Sequence, residues 1–195
     1  MTLVDVLQPS MTRRRAFLLY DLALVSGGSL LVALAAQIAI PLPFSPVPIT
    51  GQTLAVLLIG ALLGSRRSAG SLSLYLIEGA LGLPVFAGGR SGLAYMLGPT
   101  GGYLIGFVAA AFVTGWLAER QWDRRARSNV LVMLLGNVVI YACGLPWLAR
   151  FVGADRALVL GLYPFIAGDL LKLALATLAL PWGWKVLAKG HDDGL

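Results

Sequence analysis

Long apolar runs, separated by short stretches that are polar or rich in proline and glycine, dominate the chain. Four of them are about as long as the 20 or so residues that a helix needs to cross the hydrocarbon core of a bilayer. These runs are 17–40, 99–118, 130–148 and 157–180. Two shorter runs, 51–64 and 69–83, are ambiguous by length alone. The pattern therefore predicts a helical membrane protein whose number of spans depends on the two short runs.

The dipeptide Arg66-Arg67 decides how the two short runs are arranged. If the runs formed a re-entrant hairpin, both arginines would lie at membrane depth, at a cost of about 2.5–3.5 kcal/mol each on insertion scales. If each run spans the bilayer, the arginines emerge into water at the turn between them. We therefore predict an all-α integral membrane protein, a bundle of six transmembrane helices in a single domain at 1–195.

Small residues recur at every fourth position in the run that begins GPTGGYLIGF. Gly98, Gly102, Gly106, Ala110 and Thr114 follow this spacing. In lipid, a stripe of small residues lets two helix backbones approach closely, so packing outweighs the poor helix propensity of glycine. We expect this stripe to pack against a neighbouring helix of the same chain.

The composition agrees with a membrane protein and excludes several functional classes. Hydrophobic residues make up 58% of the 195 residues and charged residues 12%, with a mean hydropathy of +0.82, which is too apolar for a water-soluble globule. The single cysteine, Cys143, allows no intrachain disulfide or metal-thiolate cluster, and the single histidine, His191, lies in the polar tail, which leaves no Ser-His dyad within the membrane. The chain also lacks a G-x-x-x-x-G-K-[ST] motif, so it cannot hold ATP in a P-loop. We therefore predict no enzyme, catalytic residue, metal site or cofactor.

The basic residues predict the orientation of the six spans. With both termini on one side, that side carries eleven of the fifteen lysines and arginines, and the opposite side carries three. The fifteenth, Lys172, lies within the last span. The positive-inside rule then places both termini on the cytoplasmic side of a cell membrane. This distribution explains the net charge of +6 without a nucleic-acid partner. The eleven are Arg13, Arg14, Arg15, Arg66, Arg67, Arg120, Arg124, Arg125, Arg127, Lys185 and Lys189.

Two connecting segments on the predicted outer side are unusually apolar. The segment 41–52 contains four prolines, and the segment 82–99 contains several glycines and a single charge, Arg90. Apolar loops of this length are typical of segments that fold back over a helix bundle, where they can cap a cavity. The alternative is that they lie in the lipid interface.

Three ionisable residues, Glu78, Asp169 and Lys172, are predicted to lie at membrane depth. Such groups normally face the bundle interior or a water-filled cavity. Asp169 and Lys172 are three residues apart and share one helix face. Because lysine only donates and an ionised aspartate only accepts, the two suit a small organic anion with urea-like N–H groups, with Arg90 as a further cation. Two alternatives are an ion pair that only neutralises itself, and a proton-coupled secondary carrier that uses Glu78 and Asp169.

Four motifs, occurring in order, resemble the BioY family, the biotin-specific substrate-binding (S) components of energy-coupling-factor (ECF) vitamin transporters. They are TGQTLAVLL at 50–58, GLPVFAGG at 82–89, GPTGGYLIGF at 98–107 and GDLLK at 168–172. The resemblance extends over about 17–187, nearly the whole chain. It implies a six-helix bundle that binds biotin from outside, beneath the loops that follow the first and third spans.

The resemblance also implies roles for individual residues. Lys172 and Arg90 would bind the valerate carboxylate of biotin, and Asp169 would accept hydrogen bonds from its ureido N–H groups. Glu78 is a weaker candidate for ligand contact. Residues near the loop-capped end that would line the pocket are Thr50, Gln52 and Tyr103.

The family resemblance further implies partners within the lipid bilayer. A transmembrane coupling protein and two cytoplasmic ATPases would supply the free energy that a chain without a P-loop cannot generate. Ala35 and Ala39, four residues apart in the first predicted span, would form a small-residue docking face for the coupling protein. The sequence leaves open whether a dedicated ATPase module is needed and whether the chain forms a homo-oligomer.

Overall fold

Each of the six apolar runs contains a helix in the computed structural model, which describes residues 2–6, 14–177 and 180. The helices are α1 (Leu3–Val6), α2 (Arg14–Gln37), α3 (Gln52–Leu63), α4 (Ser65–Ala80), α5 (Leu93–Met96), α6 (Gly101–Glu119), α7 (Ala126–Val152), α8 (Ala154–Gly161) and α9 (166–177). A hairpin of β1 (Ala39–Leu42) and β2 (Ser45–Thr50) joins α2 to α3. Short 3-10 turns occupy Ala87–Gly89 and Tyr163–Phe165. Arg13, Lys185, Lys189, His191 and positions 178–179 of the last predicted span lie outside the described residues.

Four helical stretches are long and apolar enough to cross a membrane. They are Arg15–Gln37, Gly101–Glu119, Ala126–Val152 and Ala154–Thr177. The helix α3 is apolar but has 12 residues, and α4 has 16. Large apolar side chains also cover the outside of the bundle, as at Leu19 and Leu22 of α2, which are 67% and 60% exposed. An apolar outer surface is stable in lipid because lipid tails are as apolar as leucine.

The glycine stripe of α6 packs against α7, as predicted. A Cβ added to Gly102 would overlap the side chain of Trp147, and one added to Gly106 would crowd the backbone of Ile140. Thr114, at the end of the stripe, is fully buried. Gly98 precedes the helix, which begins at Gly101. The small residues therefore allow α6 and α7 to approach closely and form one wall of the bundle.

The first span ends earlier than predicted, which overturns the helical face proposed for Ala35 and Ala39. The helix α2 ends at Gln37, and Ala39 begins β1, where it pairs with Thr50. Pro41 explains the difference, because proline has no N–H to donate and disfavours helical geometry at the residue before it. Ala35 remains on α2, half-buried and close to Gly51.

The fold is mostly helical, as predicted, but it also contains one two-stranded sheet that the all-α prediction did not include. Ile40 pairs with Ile49 and Leu42 pairs with Ser45 in antiparallel register. The four prolines of this segment favoured a loop in the sequence analysis, but prolines are compatible with edge strands, and both strands of a two-stranded sheet are edges. The hairpin thus gives a fixed shape to one of the two apolar connecting segments.

The last predicted span is broken near Pro164. The helix α8 ends at Gly161, a 3-10 turn covers Tyr163–Phe165, and α9 begins at 166. Proline at the first turn of a helix costs no hydrogen bond, because that N–H has no intrahelical partner. The break places Asp169 in the first turn of α9.

Candidate functional site

A cavity lies between the hairpin, α3, α6, α7 and α9, and it contains about 530 Å³ of empty space when its open mouth is included. Val47 and Pro48 from the hairpin contribute to its wall, as do Ala87 and Tyr95 from the other apolar segment. Both apolar connecting segments therefore line a cavity, as predicted. Aromatic and aliphatic side chains such as Phe107 form most of the remaining wall.

Asp169 is the acidic group of this cavity and is only 8% exposed. Its Oδ2 accepts a hydrogen bond from the hydroxyl of Tyr141 on α7. Its Oδ1 lies 3.4 Å from Nζ of Lys172, one turn further along α9. A carboxylate taken out of water needs such donors, because burying an unpaired charge is costly. The arrangement leaves a hydrogen-bond acceptor in the wall of an otherwise apolar cavity.

Lys172 provides the cation of the same wall. Its Nζ donates a 2.8 Å hydrogen bond to Oγ1 of Thr53 on α3, besides its contact with Asp169. Lysine has three N–H donors, so one remains after these two contacts. Asp169 and Lys172 do pair with each other, but they do so beside an open cavity and not in a closed interior. A ligand in the cavity can therefore reach both.

The three residues predicted to line the pocket do line the cavity, namely Thr50, Gln52 and Tyr103. Gln52 donates through Nε2 to the hydroxyl of Tyr75, at 2.7 Å. Tyr103 donates through its hydroxyl to the carbonyl oxygen of Gly161, at 2.9 Å, and thereby ties α6 to the end of α8. These contacts fix polar side chains in the wall of a mostly apolar cavity.

Arg90 and Glu78 are not among the residues that line the cavity. The guanidinium carbon of Arg90 lies 5.7 Å from the ring centroid of Tyr95, in a cation-π arrangement, and the side chain is exposed. Arg90 therefore contacts a residue of the cavity wall without lining the cavity itself. Glu78 accepts a 2.5 Å hydrogen bond from Ser29 of α2, so its carboxylate joins two helices.

Ser45 of the hairpin forms a hydrogen bond to α8. Oγ of Ser45 donates to the carbonyl oxygen of Leu160 on α8, at 2.7 Å, and accepts from the backbone N–H of Val47, at 3.1 Å. Val47 and Pro48 follow directly and contribute to the cavity wall. The hydroxyl of Ser45 thus holds these wall residues against α8.

Sequence reasoning missed Thr53 and Tyr141, the partners of the two charged groups. Thr53 lies 119 residues from Lys172 in the chain, and Tyr141 lies 28 residues from Asp169. Each is a polar side chain inside an apolar run, and this was the only sequence feature that could have indicated a role in the site. The spacing of residues does not show that α3 and α7 contact α9. No group of three His, Cys, Asp or Glu side chains that could hold a metal ion occurs within 2–6, 14–177 and 180.

Several proteins of known name are similar in sequence to this chain. A probable biotin transporter BioY from Pyrococcus horikoshii is 42% identical over 158 residues, which cover 81% of this chain and 92% of the relative. Biotin transporters BioY from Rhizobium etli and Rhodobacter capsulatus are 42% and 43% identical over 77% of this chain, with 84% and 85% of their own lengths covered. All three are named as transporters, which agrees with the prediction that the chain is not an enzyme.

A solved structure has the same fold. It is the S-component for biotin from an ECF-type ABC transporter, with a TM-score of 0.77 and 27% identity. The match covers 90% of this chain and 95% of that one, which identifies the helices described above as the S-component fold of a multi-pass membrane protein. The sequence profile of the BioY family matches residues 9–189, which confirms the resemblance carried by the four motifs. This chain belongs to the BioY family.

Proposed function

We propose that this chain binds biotin with high affinity from outside the cell and serves as the S-component of an ECF-type vitamin uptake transporter. The observation that carries the proposal is the pair of opposite charges, Asp169 and Lys172, side by side in the wall of an apolar cavity. Relatives named as biotin transporters, at 42–43% identity, support the choice of ligand. Binding and transport require no catalysis by the chain.

The chemistry of biotin matches the groups around the cavity. Lys172 would bind the valerate carboxylate, and Asp169 would accept a hydrogen bond from a ureido N–H. Arg90 would join Lys172 at the carboxylate if its exposed side chain turned past Tyr95 when the ligand enters. The ring system and alkyl chain of biotin would contact apolar wall residues such as Phe107 and Ile140.

The topology that we propose has six spans in one domain, with the cavity near the outer face and both termini in the cytoplasm. The excess of basic residues on one side supports this orientation. The turn at Gly64 between α3 and α4, next to Arg66 and Arg67, supports counting these two shorter helices as separate spans. The hairpin and the segment that contains α5 would then face outward, where biotin arrives.

The proposed partners are a transmembrane coupling protein and two cytoplasmic ATPases. The solved structure with the same fold comes from an ECF-type ABC transporter, which supports an ATP-hydrolysing module. Docking of the coupling protein near Ala35 stays a prediction, whereas Ala39 would have to contribute from β1. The alternative, a proton-coupled carrier with Glu78 and Asp169 as relay acids, has less support, because Glu78 is held by Ser29 outside the cavity lining.

The proposal is tested by isothermal titration of the detergent-purified chain with biotin, desthiobiotin, thiamine and riboflavin. We expect biotin to bind with a Kd below about 1 μM. Thiamine, a cation, and riboflavin, a larger neutral ring system, should give no binding heat at the same concentrations. Absence of biotin binding by a chain that is monodisperse and folded would overturn the proposed function.

A further inference from the structure

Tyr75 of α4 forms a hydrogen-bond chain between the cavity and the apolar segment that follows α4. Its side chain is fully buried and is not part of the cavity wall. Its hydroxyl donates to the carbonyl oxygen of Val85, at 3.1 Å, and accepts from Nε2 of Gln52, at 2.7 Å. A carbonyl oxygen can only accept and a tyrosine hydroxyl has one proton, so that proton is committed to Val85. The oxygen of Tyr75 can therefore only accept from Gln52.

This commitment decides the orientation of the Gln52 side chain. The oxygen and nitrogen of a glutamine amide must be assigned from their hydrogen-bond partners. While Tyr75 donates to Val85, it offers Gln52 only an acceptor, and Gln52 accordingly directs its NH2 group toward Tyr75. Its Oε1, on the other branch of the same planar amide, has no donor among the described residues, although Gln52 is 97% buried and lines the cavity. Oε1 is not one of the fully buried acceptors, so it is open to a donor that a ligand brings into the cavity.

Aromatic packing keeps Tyr75 in the position from which it bonds to both Val85 and Gln52. Its ring meets the edge of Phe86, with 5.5 Å between the ring centroids, and Phe86 stacks on Tyr95 at 5.3 Å. Gly79, one turn after Tyr75, leaves room for the Phe86 ring, since a Cβ there would overlap it. The hydroxyl of Tyr75 therefore has little freedom to turn away from Val85 and Gln52.

We propose that Tyr75 is a positioning residue that turns Oε1 of Gln52 toward the cavity, where it accepts a hydrogen bond from an N–H group of the ligand. This inference rests on the proposed function, because it takes the ligand to be biotin. The cyclic urea of biotin offers two N–H donors. Asp169 accepts one of them, and Gln52 accepts the other. The site thereby selects a ligand with two separate N–H donors.

The test compares wild type, Tyr75→Phe and Gln52→Leu in titrations with biotin and with its two derivatives methylated on one ureido nitrogen. Tyr75→Phe keeps the buried ring but frees the amide of Gln52, so we expect biotin to bind about threefold to tenfold more weakly. In wild type, both derivatives should lose affinity, one because it no longer donates to Gln52 and the other because it no longer donates to Asp169. In both variants, methylation of the nitrogen that faces Gln52 should cost less affinity than it does in wild type, whereas methylation of the other nitrogen should cost as much.

Tyr163→Phe serves as the matched control, because Tyr163 is 58% exposed and its hydroxyl has no partner among the described residues. It should leave the affinities for biotin and for both methylated derivatives unchanged. Equal losses for biotin and both derivatives in Tyr75→Phe would show only a structural role and would overturn the inference. Unchanged biotin affinity in both Tyr75→Phe and Gln52→Leu would overturn it as well.

A second measurement needs no ligand and separates this inference from the proposed function. In the ligand-free chain, the side-chain NH2 of Gln52, assigned by its absence in Gln52→Leu, should show one proton that exchanges slowly with water in NMR spectra. Tyr75→Phe should abolish that protection. Fast exchange in wild type would contradict the role of Tyr75 even if biotin binds. Failure of the wild-type chain to bind biotin would instead overturn the proposed function.

Discussion

Nζ of Lys172 lies 2.8 Å from Oγ1 of Thr53, although the two residues are 119 positions apart in the chain. The contact joins the first turn of α3 to α9 at the wall of the cavity. The same ammonium group lies 3.4 Å from Asp169 on its own helix. The ammonium group thus links α3 to α9 and pairs with a carboxylate. Lys172, Thr53 and Asp169 all line the cavity, where a ligand can contact them.

Replacing either charge should therefore weaken biotin binding strongly. We expect Lys172→Ala and Asp169→Asn each to raise the Kd by about tenfold or more, because hydrogen bonds to charged groups contribute about 1.5–3 kcal/mol. Each change also leaves the partner charge without its counterion in a partly buried site. Isothermal titration of the purified variants measures the effect.

Suitable controls are Asp155→Asn and Arg156→Ala, which make similar charge changes at exposed positions of α8. Both should bind biotin as wild type does. If Lys172→Ala and Asp169→Asn bind biotin with unchanged affinity, the assignment of the site to this pair is wrong.

Loss of the Ser45 hydroxyl should loosen the hairpin over the cavity. Ser45→Ala removes the bond to Leu160 and the acceptor for the Val47 N–H. We expect biotin to dissociate about fivefold faster, in line with the loss of one or two neutral hydrogen bonds, with a smaller change in the association rate. Release of radiolabelled biotin into excess unlabelled biotin measures the dissociation rate.

Ser73→Ala is the matched control for this experiment, because Ser73 is exposed on α4, away from the hairpin. Its dissociation rate should equal that of wild type. If Ser45→Ala releases biotin at the wild-type rate, the hairpin does not limit the dissociation of the ligand.

Much of the candidate site could be predicted because its chemistry is local in sequence. Asp169 and Lys172 share a helix face through their spacing alone, and charges inside an apolar run indicate a cavity. The stripe that includes Gly102 and Gly106 predicted close helix packing for the same reason, since a four-residue repeat defines one face of a helix. These features need no knowledge of which helices are neighbours.

The features that were missed depend on contacts between distant segments. Thr53, Tyr141 and Tyr75 each bond to a residue on another element, and no periodicity of a single helix reveals such a pairing. The hairpin was missed because its prolines, including Pro41, resemble those of a loop. The same prolines ended α2 before Ala39 and so separated two residues that a continuous helix would have placed on one face.

Arg67 should stabilise the fold by holding three elements together at the turn between α3 and α4. Its guanidinium donates to Asp5 of α1 at 2.7 Å and to Asp21 of α2 at 2.8 Å, and its side chain is 15% exposed. We expect Arg67→Gln to lower the Tm in detergent by a few degrees, since about 1 kcal/mol corresponds to about 2–4 °C in a chain of this size. The adjacent Arg66→Gln removes the same charge from an exposed side chain and should change the Tm little. Equal shifts in the two variants, measured by tryptophan fluorescence during heating, would argue against a specific contribution of the ion pairs.

The contact between Asp5 and Arg67 should also make the stability of the fold sensitive to acid. Burial acts to raise the pKa of Asp5, but hydrogen bonds from Thr2 and from the Arg67 guanidinium outweigh it and hold this pKa below its ordinary value of 3.8. A carboxylate whose pKa is lower in the folded state than in the unfolded state stabilises the fold fully at a pH above the unfolded-state pKa. This stabilisation is lost as the pH falls through the folded-state pKa. We therefore expect wild type to have a higher Tm than Asp5→Asn near neutral pH, and this difference to shrink toward zero below about pH 4. Thermal unfolding of both proteins across this pH range measures it, and a Tm difference that is independent of pH would show that ionised Asp5 does not stabilise the fold.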